Sequence, residues 1–213
     1  NVIKTTRWKN MIIDMLTMLP GILIALTFHE FAHGLAAYAM GDDTAKNAGR
    51  LSLDPMKHID PIGFIMLFIM RFGWAKPVPI NENNFRHERL GLFFVSIAGI
   101  TMNLILALIF QLILFFTADI VQLSAYVDVM RGIVWINIML AAFNLLPIPP
   151  LDGSKIIYTF LPKNLRFTFY KYESYGSIIL IILLLTGGIS LLLNPVISAL
   201  ISFLNSIILL FRG

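Results

Sequence analysis

Apolar residues in this 213-residue chain come in blocks too long for the interior of a water-soluble domain. They run from Met11 to Met40, Leu90 to Ala118, Ile133 to Leu146, Ile178 to Leu193 and Val196 to Phe211. A helix needs about 20 such residues to cross a bilayer core. Charged residues make up 13% of the chain, roughly half the share usual in soluble domains, and mean hydropathy is +0.82. The pattern predicts an all-α polytopic membrane protein with about five to six transmembrane helices. Residues 1–213 read as one integral membrane domain, with a catalytic core over about 11–160 and closing helices within 174–211. The first block exceeds the apolar core of a secretory signal, and no small-residue cleavage site follows it, so it is expected to stay in the protein.

The connecting segments add detail. Residues 41–60, "GDDTAKNAGRLSLDPMKHID", are polar and turn-rich, with room for short β-strands. Residues 61–70, "PIGFIMLFIM", suit a re-entrant or interfacial piece, or a thin span if Phe72 to Ala75 join it. The alternating prolines of "KPVPIN" (76–81) force extended backbone. "PIPPLDG" ends the helix that closes near Leu146, and a break is expected near Asn194–Pro195. Cysteine is absent, which removes disulfides, thiolate metal sites and a catalytic thiol. The formal charge of +4 fits loops rich in Lys and Arg on a cytoplasmic face better than nucleic-acid binding.

One stretch does not belong in lipid. "TFHEFAHGLAA" (27–37) places His29, Glu30 and His33 inside the first apolar block. Positions i and i+4 share a helix face, so two imidazoles can reach one metal ion, and the glutamate between them can take a proton from water at that metal. With four His and four Glu in the chain, chance would give H-E-x-x-H roughly 0.001 times. The competing reading, two satisfied core histidines bridged by Glu30, is the weaker one, because ionisable groups within membrane helices mark function. A catalytic zinc site takes three protein ligands and keeps one position open. His58 and His87 remain, and Glu82, Glu88 and Glu173 lie in polar or basic loops. Asp152, in "NLLPIPPLDGSK", follows a helix opened by prolines. Alone it reads as an Asp-Gly turn; beside H-E-x-x-H the balance tips to a ligand. Zinc is inferred from ligand type, although such a site would also accept cobalt. His58 reads as a solvated loop histidine rather than a further ligand or a gate. The basic stretch 155–171 is expected to meet anionic headgroups.

HEFAHG followed by N-x-x-P-x-P-P-L-D-G resembles the site-2 protease family of intramembrane zinc metalloproteases. "AGITMN" (98–103) is similar to the family's A-G-x-x-x-N element, and "GWAKPVPIN" (73–81) resembles its compact branch without a PDZ or CBS domain. Ile100 and Thr101 depart from the pattern, since many members carry a proline there. The resemblance implies that His29, His33 and Asp152 bind zinc, that Glu30 activates water, and that Asn103 and Asn144 hold an extended substrate or the developing oxyanion. Hydrogen bonds between helices are the competing, somewhat weaker reading of the two asparagines. It further implies hydrolysis of a peptide bond within or near a transmembrane segment of a membrane protein substrate, that is, regulated intramembrane proteolysis. The partners are then transmembrane protein substrates and the lipid bilayer. The compact build suggests a bacterial or archaeal cell membrane.

Shared depth constrains topology. His29 and His33 lie late in one helix and Asp152 just past another, so the two helices should run parallel, which requires that 61–75 not cross. Loops 41–89 and 149–173 would then face the cytoplasm with the active site towards them. Twelve Lys and Arg fall inside and four outside (Lys4, Arg7, Lys9 and Arg131). The three at the N-terminus argue the other way. A metal transporter would need ligands at several depths, and an inactive helix-binding relative would not need Glu30 beside His29.

Overall fold

A computed structural model describes the backbone of residues 2–70 and 73–211, and side chains over 16–66 and 73–211 apart from six positions between 163 and 174. The side chains of Lys4, Arg7, Lys9 and Arg212, and the link at Arg71–Phe72 through which 61–70 could lengthen, lie outside the described residues. Regular structure among the described residues is helical. The order is α1 (Val2–Ala39), α2 (Thr44–Asn47), α3 (Pro61–Met70), α4 (Glu88–Thr117), α5 (Ser124–Leu145), α6 (Asp152–Phe160), α7 (Lys163–Thr186) and α8 (Ile189–Leu209). Single 3-10 turns form at Pro55–Lys57 and Glu82–Asn84.

Four helices are long and apolar enough to cross a membrane: Leu16–Ala39 of α1, then α4, α5 and α8. The expectation of five to six is trimmed by two short pieces. α3 has ten residues, about 15 Å of helix against a hydrocarbon core of about 30 Å. In α7 only Tyr175–Thr186 is apolar, because Arg166, Lys171 and Glu173 occupy its first half. The break expected at Asn194–Pro195 falls earlier. Gly187 takes a left-handed conformation (φ +75) that caps α7, while Pro195 sits inside α8.

α1, α4 and α5 form the centre of the bundle. Glycine lets α1 and α5 touch backbone to backbone: a Cβ on Gly21 would stand 3.0 Å from the Gly132 carbonyl oxygen and the Ile133 Cα. α8 covers the far side of α5, with Leu204 buried against Ala107 and Ile138. Leu191, Leu192 and Leu209 of α8 face outward, as do Ile105, Ile109 and Ile113 of α4. Outward apolar surface on this scale suits a lipid surround.

Residues 41–60 hold α2 and a 3-10 turn in place of the short strands the sequence allowed, with one isolated bridge between Ile59 and Ala75. Asp42, at the start of this segment, is fully buried. Its carboxylate accepts from the Thr44 amide (3.1 Å) and hydroxyl, the Asn81 amide (2.8 Å) and Asn84 Nδ2 (2.8 Å), tying α1's exit to the 81–84 turn. His58 corrects another expectation: it is buried, not solvated, and Nε2 donates to the Ser52 carbonyl at 2.7 Å. Arg166, expected at headgroups, turns inward. It donates to the carbonyls of Thr159 and Leu161 at the end of α6, stands 3.7 Å from Glu88, and lies over the Tyr158 ring.

Burial works against the charge on Asp42, yet hydrogen bonds from Thr44, Asn81 and Asn84 hold its carboxyl below the ordinary aspartate range. Its contribution to stability is therefore complete above the unfolded value of about 3.9 and lost as pH falls through the lower folded value. Protection of the Asn81 amide from hydrogen exchange should persist to strongly acid pH and then vanish. In Asp42→Asn it should be weak at every pH.

Candidate metal centre

His29 and His33 lie one turn apart in α1, 5% and 7% exposed, with ring centroids 4.5 Å apart. Their Nδ1 atoms face outward to acceptors. His33 Nδ1 donates to the Val95 carbonyl at 2.8 Å, and His29 Nδ1 donates to Asn103 Oδ1 at 2.7 Å. These contacts run backwards along α4 as α1 advances, so the two helices are antiparallel. A carbonyl can only accept, so His33 carries its hydrogen on Nδ1. Asn103 spends its amide hydrogens on the Ala25 carbonyl (3.1 Å) and Asn137 Oδ1 (2.9 Å), which turns its oxygen to His29 and fixes the same tautomer there.

Both Nε2 atoms are then bare lone pairs. They stand 3.0 Å apart, and Asp152 Oδ2 lies 3.3 Å from His29 Nε2 and 3.2 Å from His33 Nε2. That carboxylate oxygen is buried without a hydrogen-bond partner. Three electron-rich atoms facing one another repel unless a cation lies among them. Bonds of about 2.0–2.1 Å at tetrahedral angles would separate ligand atoms by about 3.3 Å. The donor set therefore fits zinc, and among the described residues these three side chains are the group able to hold a metal ion. His58, Glu82, Glu88 and Glu173 lie outside it.

Local backbone brings Asp152 in. The chain leaves α5 at Leu145, and Asp152 opens α6, where the positive end of a helix favours a carboxylate. Gly153 makes the turn possible, since a Cβ there would stand 2.4 Å from the Leu145 carbonyl oxygen. α5 thus delivers Asp152 to the level reached by the late turns of α1, and the two helices run parallel.

The Glu30 carboxylate is no part of the three-ligand group, and its Oε2 accepts from the Val78 amide at 2.8 Å. Asn144 is half-buried and bonds back to the Leu140 carbonyl of its own helix (3.1 Å), apart from the histidine network. Sequence reasoning missed Asn137. It is fully buried, accepts from Asn103, and donates to the Ile133 carbonyl at 2.9 Å. An asparagine inside an apolar helix was the available signal. Asn137→Leu leaves an Asn103 amide hydrogen without an acceptor. Zinc affinity measured by chelator competition should fall about tenfold, with about 1–3 kcal/mol lost from stability.

The peptidase family M50 profile matches residues 118–187, which contain Asp152. A protein of Bacillus subtilis (strain 168) named "Putative zinc metalloprotease YwhC" is 43% identical over 184 residues, covering 84% of each chain. Two mycobacterial Rip2 proteins, named in the same terms, are more distant. The one from Mycobacterium tuberculosis is 30% identical over 70% of this chain and 57% of its own length, and that of Mycolicibacterium smegmatis is 28% identical over 81% and 68%. No solved structure gives a significant match. Over this much of its length, and with apolar helices of membrane-spanning length around a zinc-competent cluster, the chain belongs to peptidase family M50, the site-2 proteases, and is a membrane zinc metalloprotease.

Proposed function

We propose that the protein cuts a peptide bond within or near a transmembrane segment of another membrane protein, at a zinc site held by His29, His33 and Asp152. The observation that carries the reading is the meeting of three bare ligand atoms at one depth inside a helical membrane bundle. Zinc, when bound, supplies a Lewis acid that polarises the scissile carbonyl and acidifies water. The chain's residues do the rest. Glu30 takes the proton from the attacking water and passes it to the leaving amine. Asn103, its amide hydrogens committed, orients His29, and Asn144 is the residue left to hold substrate. Val95 and Asn103 keep the histidine tautomers fixed throughout.

A helical substrate hides its carbonyls in its own hydrogen bonds and must unwind to be cut. The polar stretch 41–60 and the extended segment 75–81 are the candidates to hold the opened strand, the latter through carbonyl acceptors, since its Lys76, Val78 and Asn81 amides are already committed. α1 and α5 lead into segments 41–89 and 149–173, which hold eleven of the sixteen Lys and Arg, and this supports a cytoplasmic placement of the active site in a bacterial or archaeal cell membrane. The test is purification in detergent with zinc analysis and cleavage of a transmembrane reporter. One zinc per chain is expected in the wild type, none in His29→Ala/His33→Ala and less in Asp152→Asn. A folded wild type free of zinc would overturn the assignment.

A further inference from the structure

The Lys76-Pro77-Val78-Pro79 segment passes Glu30 as extended chain, and only one amide hydrogen exists among its residues 77–79. Pro77 and Pro79 have none, and that of Val78 goes to Glu30 Oε2 at 2.8 Å. We infer that the Val78 backbone amide is a positioning group for Glu30, holding one carboxylate oxygen so that the other faces the reacting water. The inference rests on Glu30 acting as general base.

Three features make this contact a built one. Pro79 confines Val78 to extended backbone, so the amide cannot swing into a helical or turn conformation. The segment is fastened on both sides of Val78. Lys76 N–H donates to the His58 carbonyl (2.9 Å), Arg50 Nη2 donates to the carbonyls of Lys76 (2.8 Å) and Pro77 (3.2 Å), and Asn81 N–H donates to Asp42. The Val78 side chain, buried, packs on Gly34, the residue after His33, so amide and H-E-x-x-H turn keep one spacing. A glutamate side chain otherwise samples many rotamers. Here the loop removes that freedom before substrate arrives.

The test separates hydrogen bond from packing. Val78→Pro keeps bulk and extended geometry but deletes the N–H, whereas Val78→Ala keeps the N–H and trims the packing. On zinc-loaded full-length protein, Val78→Pro should lower kcat about 10–100-fold, the scale of a misplaced catalytic group. KM should stay within about threefold and zinc content at the wild-type level, while Val78→Ala cleaves within about threefold of wild type. Equal activity in the two variants, with Glu30→Gln inactive, would overturn the positioning role alone. An active Glu30→Gln would instead bring down the general-base reading beneath it. Should Val78→Pro not fold, hydrogen exchange at the Val78 amide decides. Its protection should drop about tenfold or more in Glu30→Ala, and unchanged protection would refute the inference.

Discussion

Gly99→Ala is expected to strip the protein of zinc while leaving its helices in place. Gly99 lies in α4 with the two imidazoles directly against it. A Cβ there would stand 2.5 Å from His29 Cε1, 2.6 Å from His33 Nε2 and 2.7 Å from His29 Nδ1. Neither ring can retreat, since each is held at Nδ1, one by Asn103 and one by the Val95 carbonyl. α4 must move away or the rings must turn, and either change takes Nε2 from its place opposite Asp152. Alanine is a better helix former than glycine by about 1 kcal/mol, so the helix itself gains. Metal affinity should fall at least about 100-fold with an unchanged far-ultraviolet circular dichroism spectrum. A variant that titrates with zinc as the wild type does would show that α4 can yield.

Glu30→Gln has the opposite signature: zinc stays and cleavage goes. Glutamine has the shape of glutamate and its amide oxygen can still accept from Val78, but it cannot take a proton. Loss of a general base costs about 10²–10⁴ in rate. The check is a reporter cleaved by wild type and, in parallel, zinc analysis of both proteins. Retained cleavage with full zinc would place the base on another group. The two variants together separate assembly of the site from its chemistry.

How much of this was readable in the chain depended on how local the information is. H-E-x-x-H is legible because a helix puts residues i and i+4 on one face wherever it sits. Asp152 is legible because prolines mark where a membrane helix ends and a lone acid follows. Of the four long helices, those in Met11–Met40 and Leu90–Ala118 follow from block length alone, whereas α5 and α8 run beyond or across the shorter blocks. For the shorter pieces block length does not suffice: whether 61–70 and 175–186 cross depends on what surrounds them, and composition is silent on that. His58 and Arg166 were read as solvated because they lie among polar neighbours. Their side chains instead bond backbone carbonyls, Ser52 for His58 and Thr159 and Leu161 for Arg166, and a carbonyl's position leaves no mark in residue type. Asn137 was passed over because its partner Asn103 is 34 positions away on another helix.

The parallel course of α1 and α5 also acts as a ruler. His33 and His29 lie six and ten residues before the end of α1 at Ala39, or about 9–15 Å along the helix axis. That distance is within one leaflet of a bilayer whose hydrocarbon core spans about 30 Å. An enzyme with its reactive centre at that height selects substrates by position before it selects by side chain. A bond in the far leaflet is out of reach unless the substrate slides along its own axis. Shifting the same cleavable stretch by three or four residues within a reporter helix would then switch cutting on or off, with every contacting side chain unchanged.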